Sequence, residues 1–154
     1  MRKNAVRFAV IASVALSAAT SAHAQVVRSP SAIEVGIYAR LMAMTDSRTF
    51  DKALVDSALA STWSPLRWAA ALGVGQVGSA HGMPGAPLLR ALLNDRDVRV
   101  ASSAAYALGL LRDSTAVMPL SAALTGKAAI AREAAWALGE IGLTAKPAIV
   151  AGLA

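Results

Sequence analysis

Six residues, Gly73-Val-Gly75-Gln-Val-Gly78, match the glycine fingerprint that cradles a dinucleotide pyrophosphate. That chemistry needs the glycines between a strand and a helix, where the backbone approaches the phosphates at the helix N-terminus. Here they follow Trp68-Ala-Ala-Ala-Leu72, a helical run with no β-branched segment before it. Asp95 falls about where a ribose-binding acid would stand, yet it lies in a turn between helical segments. The glycines are therefore read as ending a helix and opening a longer loop, and nucleotide binding is rejected.

The other reactive side chains build no catalytic or metal site. Cysteine is absent, so neither disulfides nor thiolate metal sites can form. His81 is the only histidine after residue 23, and it has no carboxylate at metal-ligand spacing. A serine triad would need His81 as its base, and the chain has no Gly-x-Ser-x-Gly elbow. Glu133 and Glu140 stand two helical turns apart, but Arg132 is adjacent, which describes a solvated ion-paired face better than acid–base work. The sequence therefore points to no catalytic residue, no cofactor and no metal.

Charge and export are linked. Arg2, Lys3 and Arg7 precede the apolar run Phe8–Ala19, and Ala22-His23-Ala24 forms a small-x-small cleavage site. This is the layout of a secretory signal, residues 1–24. The apolar run is well short of the roughly 20 residues that span a bilayer. Export predicts a periplasmic or secreted protein without stable membrane insertion. The whole chain has a net charge of +6 from 15 basic and 9 acidic residues. Three of those bases lie in the signal, so the exported part is less basic. Its remaining bases stand beside acids, as in Asp95-Arg96-Asp97, without the stripe that a nucleic-acid binder shows.

The elements that carry these side chains repeat. Arg67-Trp-Ala-Ala-Ala-Leu-Gly73, Ser103-Ala-Ala-Tyr-Ala-Leu-Gly109 and Glu133-Ala-Ala-Trp-Ala-Leu-Gly139 share one pattern, with Leu-Gly pairs starting at 72, 108 and 138. In the second copy, Val100, Ala104, Leu108 and Leu111 keep to one face of a 3.6-residue helix. Between these B helices recur A helices with an early proline, at Pro87, Pro119 and Pro147. Proline is tolerated in the first turn, where its missing N–H has no helical partner. Asp95 and Asp113 are read as caps in the turns. Upstream, 50–61 reads as a first A helix, Ser64-Pro65 opens its B helix, and Ile33, Ile37, Leu41 and Met44 mark a further helix that caps the stack. Alanine is the largest contributor to the hydrophobic content of 56%, which suits closely packed helices and disfavours sheets.

The Val-x-x-x-Ala-Ala-x-Ala-Leu-Gly helix, preceded by an Ala-x-x-Pro-Leu-type helix and an Asp-containing turn, resembles the short bacterial HEAT-like repeats, also known as phycobilisome-lyase HEAT-like repeats. The resemblance covers Thr49 to the end and implies an all-α solenoid of helix pairs. Expected boundaries are a tail at 25–31 and a solenoid at 32–154, with repeats at 49–78, 84–112 and 113–142 and a partial one at 143–154. The segment 78–83 departs from the pattern as an insertion. Lys146 to Ala154 reads as an A helix without its B helix, so a truncated or partial chain is expected.

In such stacks the B helices line the concave surface, which the resemblance makes the place for a protein or peptide partner. Ala70, Tyr106 and Trp136, each two residues before a repeat leucine, are expected to project from it together. With their flanks, the candidate partner-binding residues are Arg67, Ser103, Tyr106, Arg132, Glu133 and Trp136. The expected role is an exported protein–protein interaction scaffold. The alternative is the non-catalytic N-terminal arm of a longer exported enzyme, such as a cyclophilin-type peptidyl-prolyl isomerase.

Overall fold

Aspartates and a serine start three of the α-helices and the 3₁₀ turn. In the computed structural model, which describes residues 28–78 and 84–152 with side chains as far as Gly142, Ser31 opens α1 (Ala32–Ser47) through a reciprocal capping box with Glu34. Asp51 caps α2 (Lys52–Leu59) by accepting from the Leu54 amide at 2.9 Å. Helix α3 spans Ser64–Gly78, and α4 (Ala86–Leu92) carries Pro87 in its first turn, as the sequence predicts. Asp97 caps α5 (Val98–Leu111), Asp113 caps a 3₁₀ turn at Ser114–Ala116, and α6 (Val117–Ala123) and α7 (Ala128–Gly152) follow. The described residues are all helix and turn, so the all-α expectation holds. The signal at 1–24, the first residues of the tail and the inserted segment 79–83, His81 included, lie outside the described residues.

The helices form two layers. Helices α1, α3, α5 and α7 pack side by side in chain order, and α2 and α4 each bridge two neighbours of that row, while α6 rests on α7. The core between the layers is filled by Leu41, Val55, Leu66, Val74, Leu89, Val100, Leu108 and Leu120, all fully buried. Alanine makes the row tight: Ala69–Ala71, Ala104, Ala105, Ala107, Ala134 and Ala137 are all at or near zero exposure. Two glycines make it tighter. A Cβ at Gly75 would stand 2.8 Å from the Ala107 Cα, and one at Gly109 would stand 2.8 Å from the Ala137 Cα.

Those contacts revise the fingerprint glycines. They do not end the helix at Leu72; α3 runs on to Gly78, with Gly73, Gly75 and Gly78 buried inside it. They also revise the register of the first repeat. Leu66, Ala70, Val74 and Val77 of α3 are buried as Val100, Ala104, Leu108 and Leu111 are in α5, at a uniform shift of 34 residues (100 − 66 = 34). Gly75 is thus the counterpart of Gly109, and Leu72 is the counterpart of Tyr106. The sequence alignment through Leu72-Gly73 is two residues out.

Three further expectations change. Ile33 is 76% exposed while its neighbour Glu34 is buried, because Glu34 accepts from Arg28 and Ser61 and so binds α1 to the α2–α3 turn. Asp95 is no helix cap; it accepts the Asp97 amide at 2.8 Å, and Asp97 takes the cap. The turn expected before Lys146 is absent, and α7 continues through Pro147. Residues 142–146 contain no aspartate like those that open α2 and α5, so nothing of that kind caps a new start.

Candidate partner-binding face

The outward edge of the long-helix row carries the aromatic side chains. Because Leu72, Tyr106 and Trp136 occupy equivalent places on α3, α5 and α7, they follow one another along this edge. Tyr106 and Trp136 stack with ring centroids 4.7 Å apart and planes 25° apart. Trp136 stays 38% exposed, and its ring edge lies over Gly109, where a Cβ would stand 2.6 Å from Cζ3. The expectation that Tyr106 and Trp136 come together is met. Ala70 does not join them, because in the corrected register it points into the core at zero exposure.

The place expected of Ala70 is filled by two residues that the sequence reading left out. Leu72 and Trp68 lie one turn apart on α3, and Trp68 is 38% exposed. With Ser102, Ser103, Tyr106 and Glu133 they line a groove of about 260 Å³. Tyr106 also borders a larger hollow of about 610 Å³ shared with Thr45, Asp46, Arg48 and Gln76. Tyr106 therefore borders two neighbouring depressions on this edge.

Arg67 is not on this edge. It is 5% exposed, with its Nε and Nη2 donating to the two Asp95 carboxylate oxygens at 2.8 Å each, and its Nη1 donating to the Ser61 carbonyl at 2.9 Å. The fork ties α3 to the α2–α3 turn through Ser61 and to the α4–α5 turn through Asp95. Burial opposes ionisation of Asp95, but the Arg67 bonds and the Asp97 amide outweigh it and hold the carboxyl below its usual range. Arg67 is raised in turn by the same bonds. Ser103 is 8% exposed and forms part of the groove wall, and so it is no projecting contact. Arg132 and Glu133 pair with each other at 3.0 Å, with Arg132 largely in solvent and Glu133 reaching the groove.

Among the described residues, no group of three or more His, Asp or Glu could hold a metal, and no helix is long and apolar enough to cross a membrane. The sequence matches the family described as HEAT repeats over residues 52–139 and again over 85–154, together more than half of the chain. A comparison with curated proteins finds no match.

Proposed function

The chain belongs to the HEAT-repeat family, and from that premise we propose that it is an exported scaffold holding a protein partner against the edge of α3, α5 and α7. Repeats of this kind commonly serve as protein-interaction scaffolds and typically carry no catalytic machinery. The observation that carries the proposal is the part-exposed Tyr106–Trp136 stack, continued by Leu72 and Trp68 along rigid helices. Large amphipathic rings on a fixed platform are what binding hot spots are made of, because they bury much area at little entropic cost. Those rings stand beside grooves and not on a flat surface, so a partner side chain has somewhere to go.

Export draws support from the basic start, the apolar run and the cleavage site in residues 1–24. The mature protein should then begin at Gln25, and N-terminal sequencing of the protein recovered from the cell envelope reads this directly. The binding claim is tested by crosslinked capture with the native sequence and with Trp68→Ala plus Tyr106→Ala. The variant should retain its helical circular dichroism and lose the captured partner. A partner retained at full yield would contradict the assignment of this edge.

A further inference from the structure

The groove between α3, α5 and α7 has a chemistry more specific than an apolar slot. Trp68 and Leu72 on α3 and Tyr106 on α5 supply its apolar and aromatic lining, and Glu133 on α7 is the one charged residue that lines the groove. The lining contains no basic side chain. Among the described residues the only polar partner of the Glu133 carboxylate is Arg132, which takes Oε1 and leaves Oε2 for an incoming donor. That pair is weakly held: Arg132 is 78% exposed in its side chain, and a solvent-exposed ion pair is easily shared or replaced. Ser102 adds a buried hydroxyl without a hydrogen-bond partner. Buried hydroxyls ordinarily have one.

We propose that this groove is the seat of a single cationic side chain, an arginine or lysine of the partner segment, held between the rings of Trp68 and Tyr106 with its charge on Glu133. The inference rests on the partner-binding reading of this edge and names the residue type that the edge selects. Aromatic faces attract a cation through their quadrupole, and the attraction grows where the groove excludes water. A carboxylate beside the rings supplies the opposite charge and a charge-assisted hydrogen bond. A methylene stem over Leu72 fills the apolar floor in the way that long basic side chains cover apolar surface elsewhere. A neutral apolar residue would satisfy the rings but leave Oε2 of Glu133 and the Ser102 hydroxyl unengaged. An acidic residue would meet Glu133 with like charge. The overall positive charge of the chain does not oppose a cation here, because local charge within a few ångströms outweighs distant charges screened by salt.

The test is a titration of the purified protein followed by the indole N–H resonances of its tryptophans. The probes are N-acetyl-arginine methylamide and its neutral isostere N-acetyl-citrulline methylamide. The arginine probe should shift the Trp68 indole resonance saturably, and the citrulline probe should bind about tenfold more weakly, the loss expected when a charge-assisted contact becomes neutral. Glu133→Gln should weaken the arginine probe to about the level of citrulline while leaving the melting temperature in place. Equal binding of the two probes at Trp68 would overturn the cationic assignment and leave the edge as a binding surface for apolar residues. Unaltered arginine binding by Glu133→Gln would overturn the role of the carboxylate. A Trp68 resonance that neither probe moves would overturn the groove as a subsite, while crosslinked capture on Trp68→Ala plus Tyr106→Ala separately decides the wider scaffold reading.

Discussion

Arginine 67 separates a folding role from a binding role more sharply than any other candidate. Replacing it with alanine removes three hydrogen bonds at 2.8, 2.8 and 2.9 Å and the partner of a carboxylate whose side chain is 9% exposed. Asp95 would keep only the Asp97 amide. Removing one member of a buried ion pair costs about 3–5 kcal/mol, because the other is left charged and desolvated. Against a typical total of about 5–15 kcal/mol, this is a large share. With an m-value near 2 kcal/mol/M, the urea midpoint should fall by about 1.5–2.5 M at neutral pH. Urea unfolding followed by circular dichroism, with unchanged m, is the assay. Replacing both partners together, Arg67→Met with Asp95→Leu, should recover most of the loss, since no charge is then stranded. A single-variant loss below about 1 kcal/mol, the range of a surface pair, would show that the pair does not hold the fold and return Arg67 to the partner-binding candidates.

The glycines give a matched pair: Gly109→Ala should destabilise by about 1–3 kcal/mol through collision with α7. Gly139→Ala, at the equivalent place with nothing within 4 Å, should be neutral or stabilising by up to about 1 kcal/mol in the same thermal melts. A double-mutant cycle between Tyr106 and Trp136 should return a coupling of about 0.5–1.5 kcal/mol for the stacked rings, read from unfolding free energies. Acid should weaken the fold through Glu34, Asp95 and Asp97. All three carboxyls are held low: Glu34 chiefly by Arg28, Asp97 chiefly by Arg99, and Asp95 by Arg67 against the opposing effect of burial. Lowered carboxyls contribute stability above their unfolded values, near 4, and lose it as pH falls through the folded values. Unfolding free energy should therefore hold to about pH 4 and drop below it, with a shallower drop for Glu34→Gln by equilibrium unfolding across pH.

The alternation of A and B helices was legible because proline, aspartate and the Leu-Gly pairs recur at similar spacing, and these are local signals. The register of the first repeat was not. In an alanine- and glycine-rich helix, Leu72 and Val74 offer two apolar faces of similar width, and the letters Ala-Ala-Ala-Leu-Gly favour the wrong one. Burial of Leu66, Val74 and Val77, and the approach of Ala107 to Gly75, decide the face, and both depend on the neighbouring helix. That two-residue shift puts Ala70 beside Tyr106 and Trp136 and hides Leu72 and Trp68. The burial of Arg67 is illegible for a related reason: its partner Asp95 lies in the α4–α5 turn, 28 residues on. The available signal was a single charge within an alanine face, together with an acid in the turn before the next long helix. The juxtaposition of Tyr106 and Trp136 is legible because their spacing from the Leu-Gly pair is the same in both copies.

Contact of a protein partner with the edge formed by α3, α5 and α7 can be read inside the cell. Its most direct measurement places a photo-crosslinking amino acid at Trp68, and in a parallel protein at Met118 on α6, which is 78% exposed on the short-helix layer. Irradiation in the cells that make the protein should yield a discrete higher-mass adduct from position 68 and none from position 118. Adducts from position 118 alone, or equally from both, would contradict the account.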